Sequence, residues 1–163
     1  MTDAAPAIFV AIESSALGAA IRQSSWAYMA ANVTHILSLM AFAGAIVVMD
    51  LRMIGVFAAT SPGFILRQAR KAAIFAFAGL VLSGLTLFTA EASHVVLNRV
   101  FQIKLGLIAL GLANIVAFEV WVTPKVQLLG PLKPLPDAAR PIAIASLVIW
   151  FCVAACGRLI AYF

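Results

Sequence analysis

Four long apolar runs dominate the chain, and the charges, prolines and most polar residues collect between them. The runs predict membrane spans at residues 27–49, 72–90, 100–122 and 142–163. Each is about as long as a helix must be to cross a hydrocarbon core of roughly 30 Å. Between the third and fourth, "TPKVQLLGPLKPLPDAARP" is dense in proline, which removes amide donors and restricts the preceding residue, so this stretch is a loop. Ahead of the first span, residues 6–22 put Phe9, Ile12, Ala16 and Ala20 on one helical face with Glu13 at its edge and Ser14, Ser15 and Arg22 pointing away. That pattern predicts a short amphipathic helix lying in the interface. It fits a signal peptide poorly, because no Lys or Arg precedes the apolar part and Glu13 interrupts it. No repeat period or strand-like alternation competes. The expectation is all-α: one transmembrane domain over residues 1–163, a four-helix bundle with an N-terminal interfacial helix.

Composition agrees, with 64% hydrophobic and 10% charged residues and a mean hydropathy of +1.10. A soluble domain is nearer half apolar and a quarter charged. The net charge of +5 does not point to nucleic acid, because the basic residues sit at the ends of apolar runs. Arg52, Arg67, Arg70, Lys71, Lys125, Lys133 and Arg140 flank one side, against Arg22, Arg99, Lys104 and Arg158 on the other. The richer side is expected to be cytoplasmic, with both termini periplasmic in a bacterial inner membrane. The lipid bilayer is the first partner. Gly44, Gly79, Gly84, Gly106 and Gly111 predict close helix approach, within the bundle or against a membrane-complex partner or second copy.

In that orientation His35, Lys104 and Arg158 fall in the outer half, Glu91 and His94 in the short outer loop, and Glu13 on the interfacial helix. The plain reading of His35 is a hydrogen bond to a neighbouring helix. Ionisable groups inside a span nonetheless tend to face a cavity or ligand. A b-type haem needs an imidazole on iron, apolar walls and cations near its propionates. His35 fits the first need, with His94 a second ligand if the outer loop folds back. Phe42, Phe77, Phe88, Phe101 and Trp150 are candidate walls, and Lys104, Arg158 and Arg22 candidate cations. Copper is the alternative, because soft ligands select Cu(I) and Met29, Met40, Cys152 and Cys156 lie in or near the same half. The two cysteines, four apart on one helix, are expected to be thiols. No CxxC, HExxH or CxxCH motif is present, nor a phosphate loop, catalytic triad or paired-carboxylate site.

At the other end, Asp50 and Arg52 close the first span, and Asp50 is expected to pair with Arg67, Arg70 or Lys125, with Glu119 at a similar depth. This is read as a structural clamp. A proton path from His35 to Asp50 has few polar steps: Ser38, with Ser83 and Asn114 on other helices. Arg158, inside an apolar segment, needs an acceptor. Of the outer carboxylates Asp3, Glu13 and Glu91, Glu13 is the expected one, with Glu91 or a cofactor's carboxylate as substitute.

The motif order "ALGAAIRQSSWAY", "HILSLMAFAGAIVVMDLRMIG", "NRVFQIKLGLIALGLANIVAF" and "SLVIWFCVAACGRLIAYF" resembles a family of small bacterial inner-membrane proteins, domain of unknown function 6644. The resemblance covers most of the chain and implies a four-span bundle without assigning an activity. The first span is also similar to the "H…G" helix of copper-resistance membrane proteins and b-type membrane cytochromes, through His35 and Gly44. The resulting expectation is a redox-cofactor protein, haem b first, serving electron transfer or a membrane complex. The alternatives are a copper or small-anion binding or transport protein using the same pocket, or a purely structural membrane subunit.

Overall fold

The computed structural model describes residues 4–127 and 129–162. Those residues form α1 (Ala7–Ser14), α2 (Ala16–Gln23), α3 (Ser25–Ile54), α4 (Pro62–Ala90), α5 (Ala92–Val95), α6 (Arg99–Trp121), α7 (Thr123–Val126) and α8 (Ala139–Leu159), with no strand among them. α3, α4, α6 and α8 are long and apolar enough to cross a membrane, and they make the expected four-helix bundle of a multi-pass membrane protein. Their alternating directions give the bundle a termini end, carrying α1, α2 and α5, and a loop end, carrying residues 55–61, 122–127 and 129–138.

Local chemistry sets the helix ends. Ser24 caps α3 by accepting from the Ala27 amide. Asn98 caps α6 through the amides of Val100 and Phe101, and Pro62 opens α4, where a missing amide hydrogen costs nothing. α4 begins ten residues before the expected span because Arg67, Arg70 and Lys71 lie on a helical extension beyond the apolar run. α8 ends at Leu159, and Phe163, the last residue of the expected fourth span, lies outside the described residues.

The expected interfacial helix is two helices. The Ser15 hydroxyl donates to the Ile12 carbonyl at 2.6 Å and its oxygen accepts from the Gly18 amide at 3.1 Å, which ends α1 and caps α2. Arg22 does not point away. It donates to the carbonyls of Glu13 and Ala90, both at 2.8 Å, and so ties this strap to the end of α4.

α3 is the central helix, packed on α4 and α8, with α6 on the far side of α8. α4 and α6 stand apart along most of their length. At the termini end Phe88 and Phe101 stack between them, with ring centroids 5.6 Å apart. At the loop end Arg70 and Glu119 bridge them at 2.7 Å. Between these two ties a window faces the lipid, and α3 and α8 form its floor. At mid-depth Phe42, Phe77 and Trp150 pack together, the Phe42 and Trp150 centroids 4.7 Å apart and edge to face. Trp150 lies so close to α6 that a Cβ at Gly111 would come within 2.8 Å of its ring. The glycines meet the expected close approach in part. Gly79, Gly84 and Gly111 receive the side chains of Ser38, His35 and Trp150 rather than a helix backbone, while Gly44 and Gly106 face open space.

Candidate functional site

The polar residues of the spans gather at two depths, separated by the Phe42, Phe77 and Trp150 layer. Along α3, Phe42 lies seven residues from His35 and eight from Asp50, which is about 10–12 Å by the helical rise. The other spans repeat the order: Ser83, Phe77 and Arg70 on α4; Lys104, Gly111 and Glu119 on α6; Cys156, Trp150 and Ser146 on α8.

Towards the termini end all four spans contribute. The His35 Nδ1 lies 2.9 Å from the Ser83 hydroxyl, and that hydroxyl donates its proton to the Gly79 carbonyl at 2.6 Å. With the serine proton committed, the ring must be the donor. Neutral His35 then carries its hydrogen on Nδ1 and keeps a lone pair on Nε2. Its Cε1 edge rests in the Gly84 notch. Lys104, on α6, belongs to the same level. Its Nζ would lie 3.6 Å from a Cβ at Gly157, and it makes no hydrogen bond or ion pair among the described residues.

The other residues expected at this site lie elsewhere. Arg158 does not reach Glu13 or Glu91. It donates to the Tyr162 hydroxyl at 2.6 Å and lies over that ring at 4.8 Å. Tyr162, in the turn that follows α8, supplies both an acceptor and a π face, so the guanidinium has its partner close by in sequence. Glu13 accepts instead from the Ser93 amide at 2.8 Å and from the Ser93 hydroxyl, with Arg22 at 3.9 Å. The Ser93 hydroxyl, then its amide, then the nearby positive charges hold the Glu13 carboxyl below the usual glutamate range against the opposing effect of burial. Glu91 accepts from the Tyr28 hydroxyl at 3.0 Å, and Asp3 lies outside the described residues. His94 is exposed on α5, and no hydrogen bond or ion pair joins it to His35 among the described residues. Trp150 is buried in the mid-depth layer, and the expected wall residues pack on one another. Met29 and Met40 are exposed on the lipid-facing side, and Cys152 and Cys156 are free thiols. No cluster of three or more His, Cys, Asp or Glu side chains that could hold a metal ion occurs among the described residues.

At the loop end the expected clamp is not made. Arg70 gives its terminal nitrogen to Glu119 at 2.7 Å and to the Thr123 hydroxyl at 3.0 Å, and Asp50 forms no ion pair among the described residues. Asp50 is 1% exposed and faces a cavity of about 170 Å3 beneath the window. Its Oδ2 is buried without a hydrogen-bond partner, and so is the Nε of Arg70, which lines the same cavity. The sequence carried a sign of this: Phe42, Ile46 and Asp50 are four apart and share the inward stripe of α3. Arg52, 2% exposed, turns the other way. Its Nε and a terminal nitrogen donate to the Thr60 carbonyl at 3.1 and 2.8 Å. Gly55, with φ 113°, then closes α3 in a left-handed cap. "DLRMIG" thus encodes an acid facing the cavity, a base fastening the loop, and a helix stop.

Residues 8–163 match the profile of a family of unknown function, DUF6644. No curated protein and no solved structure gave a match.

Proposed function

Because the chain belongs to this family of unknown function, its activity has to be read from its own side chains, and we propose that the His35 site binds a metal-bearing, acidic redox cofactor, b-type haem, for electron transfer. The observation that carries this reading is the proton inventory at Ser83. It leaves the His35 Nε2 lone pair free, with its other nitrogen held by a hydrogen bond, as ligating histidines usually are. Lys104 adds a cation at the same depth, without an acceptor among the described residues, where a propionate would bind. The donor set fits the group: Nε2 for the iron and Lys104 for a carboxylate. The aromatic side chains are committed to the core, so the aliphatic sides of the window would have to flank a macrocycle. Haem would supply one-electron chemistry, while this chain would fix the imidazole tautomer and place the cation.

The concentration of Arg and Lys at the loop end supports an inner-membrane orientation with that end cytoplasmic and both termini periplasmic. A small anion held at Lys104 is the second reading, favoured by the ammonium's lack of an acceptor among the described residues, although the Nε2 lone pair does not suit it. Full-length protein purified from haem-replete cells should show a near-stoichiometric Soret band that His35→Ala removes. Absence of that band in the wild type overturns the haem reading, and elemental analysis of the same sample tests copper.

A further inference from the structure

The cavity at the loop end is separate from the His35 site, and nothing in the proposed cofactor chemistry uses it. Three observations limit what fits there. Its walls include Ile74 of α4 and Ile115 of α6, helices that stand apart along most of their length, so a ligand has a way in from the bilayer between them. Its volume of about 170 Å3 is close to that of an apolar cavity of about 150 Å3 that takes up benzene, so it admits one six-membered ring with small substituents. Its walls are mainly apolar, yet they carry two buried polar atoms without partners, Asp50 Oδ2 and Arg70 Nε.

Arg70 Nε is a donor that wants an oxygen acceptor, and an ionised Asp50 is an acceptor that wants a hydroxyl. Each is a buried polar group left unsatisfied, so a molecule serving both would be held firmly. Water would serve the polar atoms but would leave the apolar remainder of the cavity poorly filled. A fatty acid would bring a second negative charge to a carboxylate. A ring bearing a hydroxyl and a second ring oxygen, on an apolar tail that remains in the window, meets all three limits.

We infer that the cavity beneath the α4–α6 window binds the ring of a lipid-soluble quinone or quinol, with Arg70 Nε donating to a ring oxygen of either form and Asp50 accepting from a hydroxyl of the quinol. The tail lies out through the window between the Phe88–Phe101 stack and the Arg70–Glu119 pair. Asn114, also in the lining, donates its amide to the Ile142 carbonyl and keeps its side-chain oxygen for the ring.

The protein provides its own reporter. Trp26 and Trp121 are exposed, whereas Trp150 packs on Phe42, which lines the cavity. Full-length protein carrying Trp26→Phe and Trp121→Phe, in nanodiscs of zwitterionic lipid, is titrated with a benzoquinone bearing one isoprenoid unit and, separately and without oxygen, with its quinol. Trp150 fluorescence should quench saturably at one ring per chain. Asp50→Leu, which removes the acceptor, should raise the quinol's midpoint about tenfold, the equivalent of one charged hydrogen bond. Ile74→Phe, at the exposed rim, should raise it without touching either polar atom. Quenching that is absent, or that rises linearly and equally in wild type and both variants, reports partition into the bilayer only and overturns the proposal. The titration is repeated in His35→Ala, which should bind quinone unchanged, so loss of the haem reading and loss of this one are told apart.

Discussion

The two polar levels of the bundle handle the same problem, ionisable groups inside a membrane, in opposite ways. Towards the termini end every atom of the Ser83 hydroxyl is in use: it accepts from His35 and donates to Gly79, so one ring nitrogen is fixed and the other is free. Towards the loop end the strongest partner is spent elsewhere. Arg70 pairs with Glu119 at the rim, and Asp50 is left with a buried, partnerless oxygen. The first level specifies an orientation, and the second stores an unmet demand. Fixed geometry suits a ligand that stays, whereas an unmet demand at a lateral opening suits one that comes and goes.

The largest expected effect comes from removing the layer that separates them. Trp150 is 8% exposed, packs edge to face on Phe42 and fills the notch at Gly111. Trp150→Ala should cost about 3–5 kcal/mol, the usual range for truncating a buried tryptophan. It should also join the cavity to the His35 level. Reversible denaturant unfolding in mixed micelles measures the first effect. A loss below about 1 kcal/mol would show that the layer is not a shared core.

Next in size, and opposite in sign, is Asp50→Leu. If the Asp50 oxygen is unpaired in the ligand-free protein, an apolar side chain in its place should stabilise it by about 1–3 kcal/mol. A stability gain with weakened quinol binding would mark Asp50 as a group retained for its ligand. Destabilisation by a similar amount in the same unfolding measurement would show that the oxygen is satisfied and that the contrast between the two levels is smaller than drawn.

Much of this architecture was legible, for identifiable reasons. The four spans follow from apolar runs that must satisfy their own backbone in lipid, and the shared level of His35 and Lys104 follows from their positions along α3 and α6. What depth cannot supply is the rotation of each helix about its axis. Arg70 could face Asp50 or Glu119 from the same level, and periodicity does not decide between them; in the structure it pairs with Glu119. Arg158 shows the reverse, because its partner Tyr162 stands four residues on, in the turn after α8, and not across the bundle. The strap was drawn as one amphipathic helix because periodicity carries across Ser15, where a hydroxyl that caps the next helix breaks it.

The smallest effect sits outside both levels and asks whether the strap matters to either. Glu13 fastens α1 to α5 through the Ser93 amide and hydroxyl, with Arg22 beside it, and these contacts lower its pKa below the ordinary glutamate value of 4.5. A carboxyl whose folded pKa is depressed stabilises the docked state at pH values above its unfolded pKa, and that contribution fades as pH falls through the folded value. The strap should therefore be fully docked at neutral pH and begin to loosen only below about pH 4.5, while the spans stay inserted. Amide hydrogen exchange at Ser93 and in α1, corrected for the intrinsic pH dependence of exchange, should show protection falling in that acid window. In Glu13→Gln, which keeps an acceptor but cannot titrate there, protection should start lower and stay flat. Equal pH dependence in wild type and Glu13→Gln would mean that another group controls the strap. If the spectrum and quinone titration also remain unchanged across that window, the strap is a fastening at the mouth of the bundle and no part of either binding level.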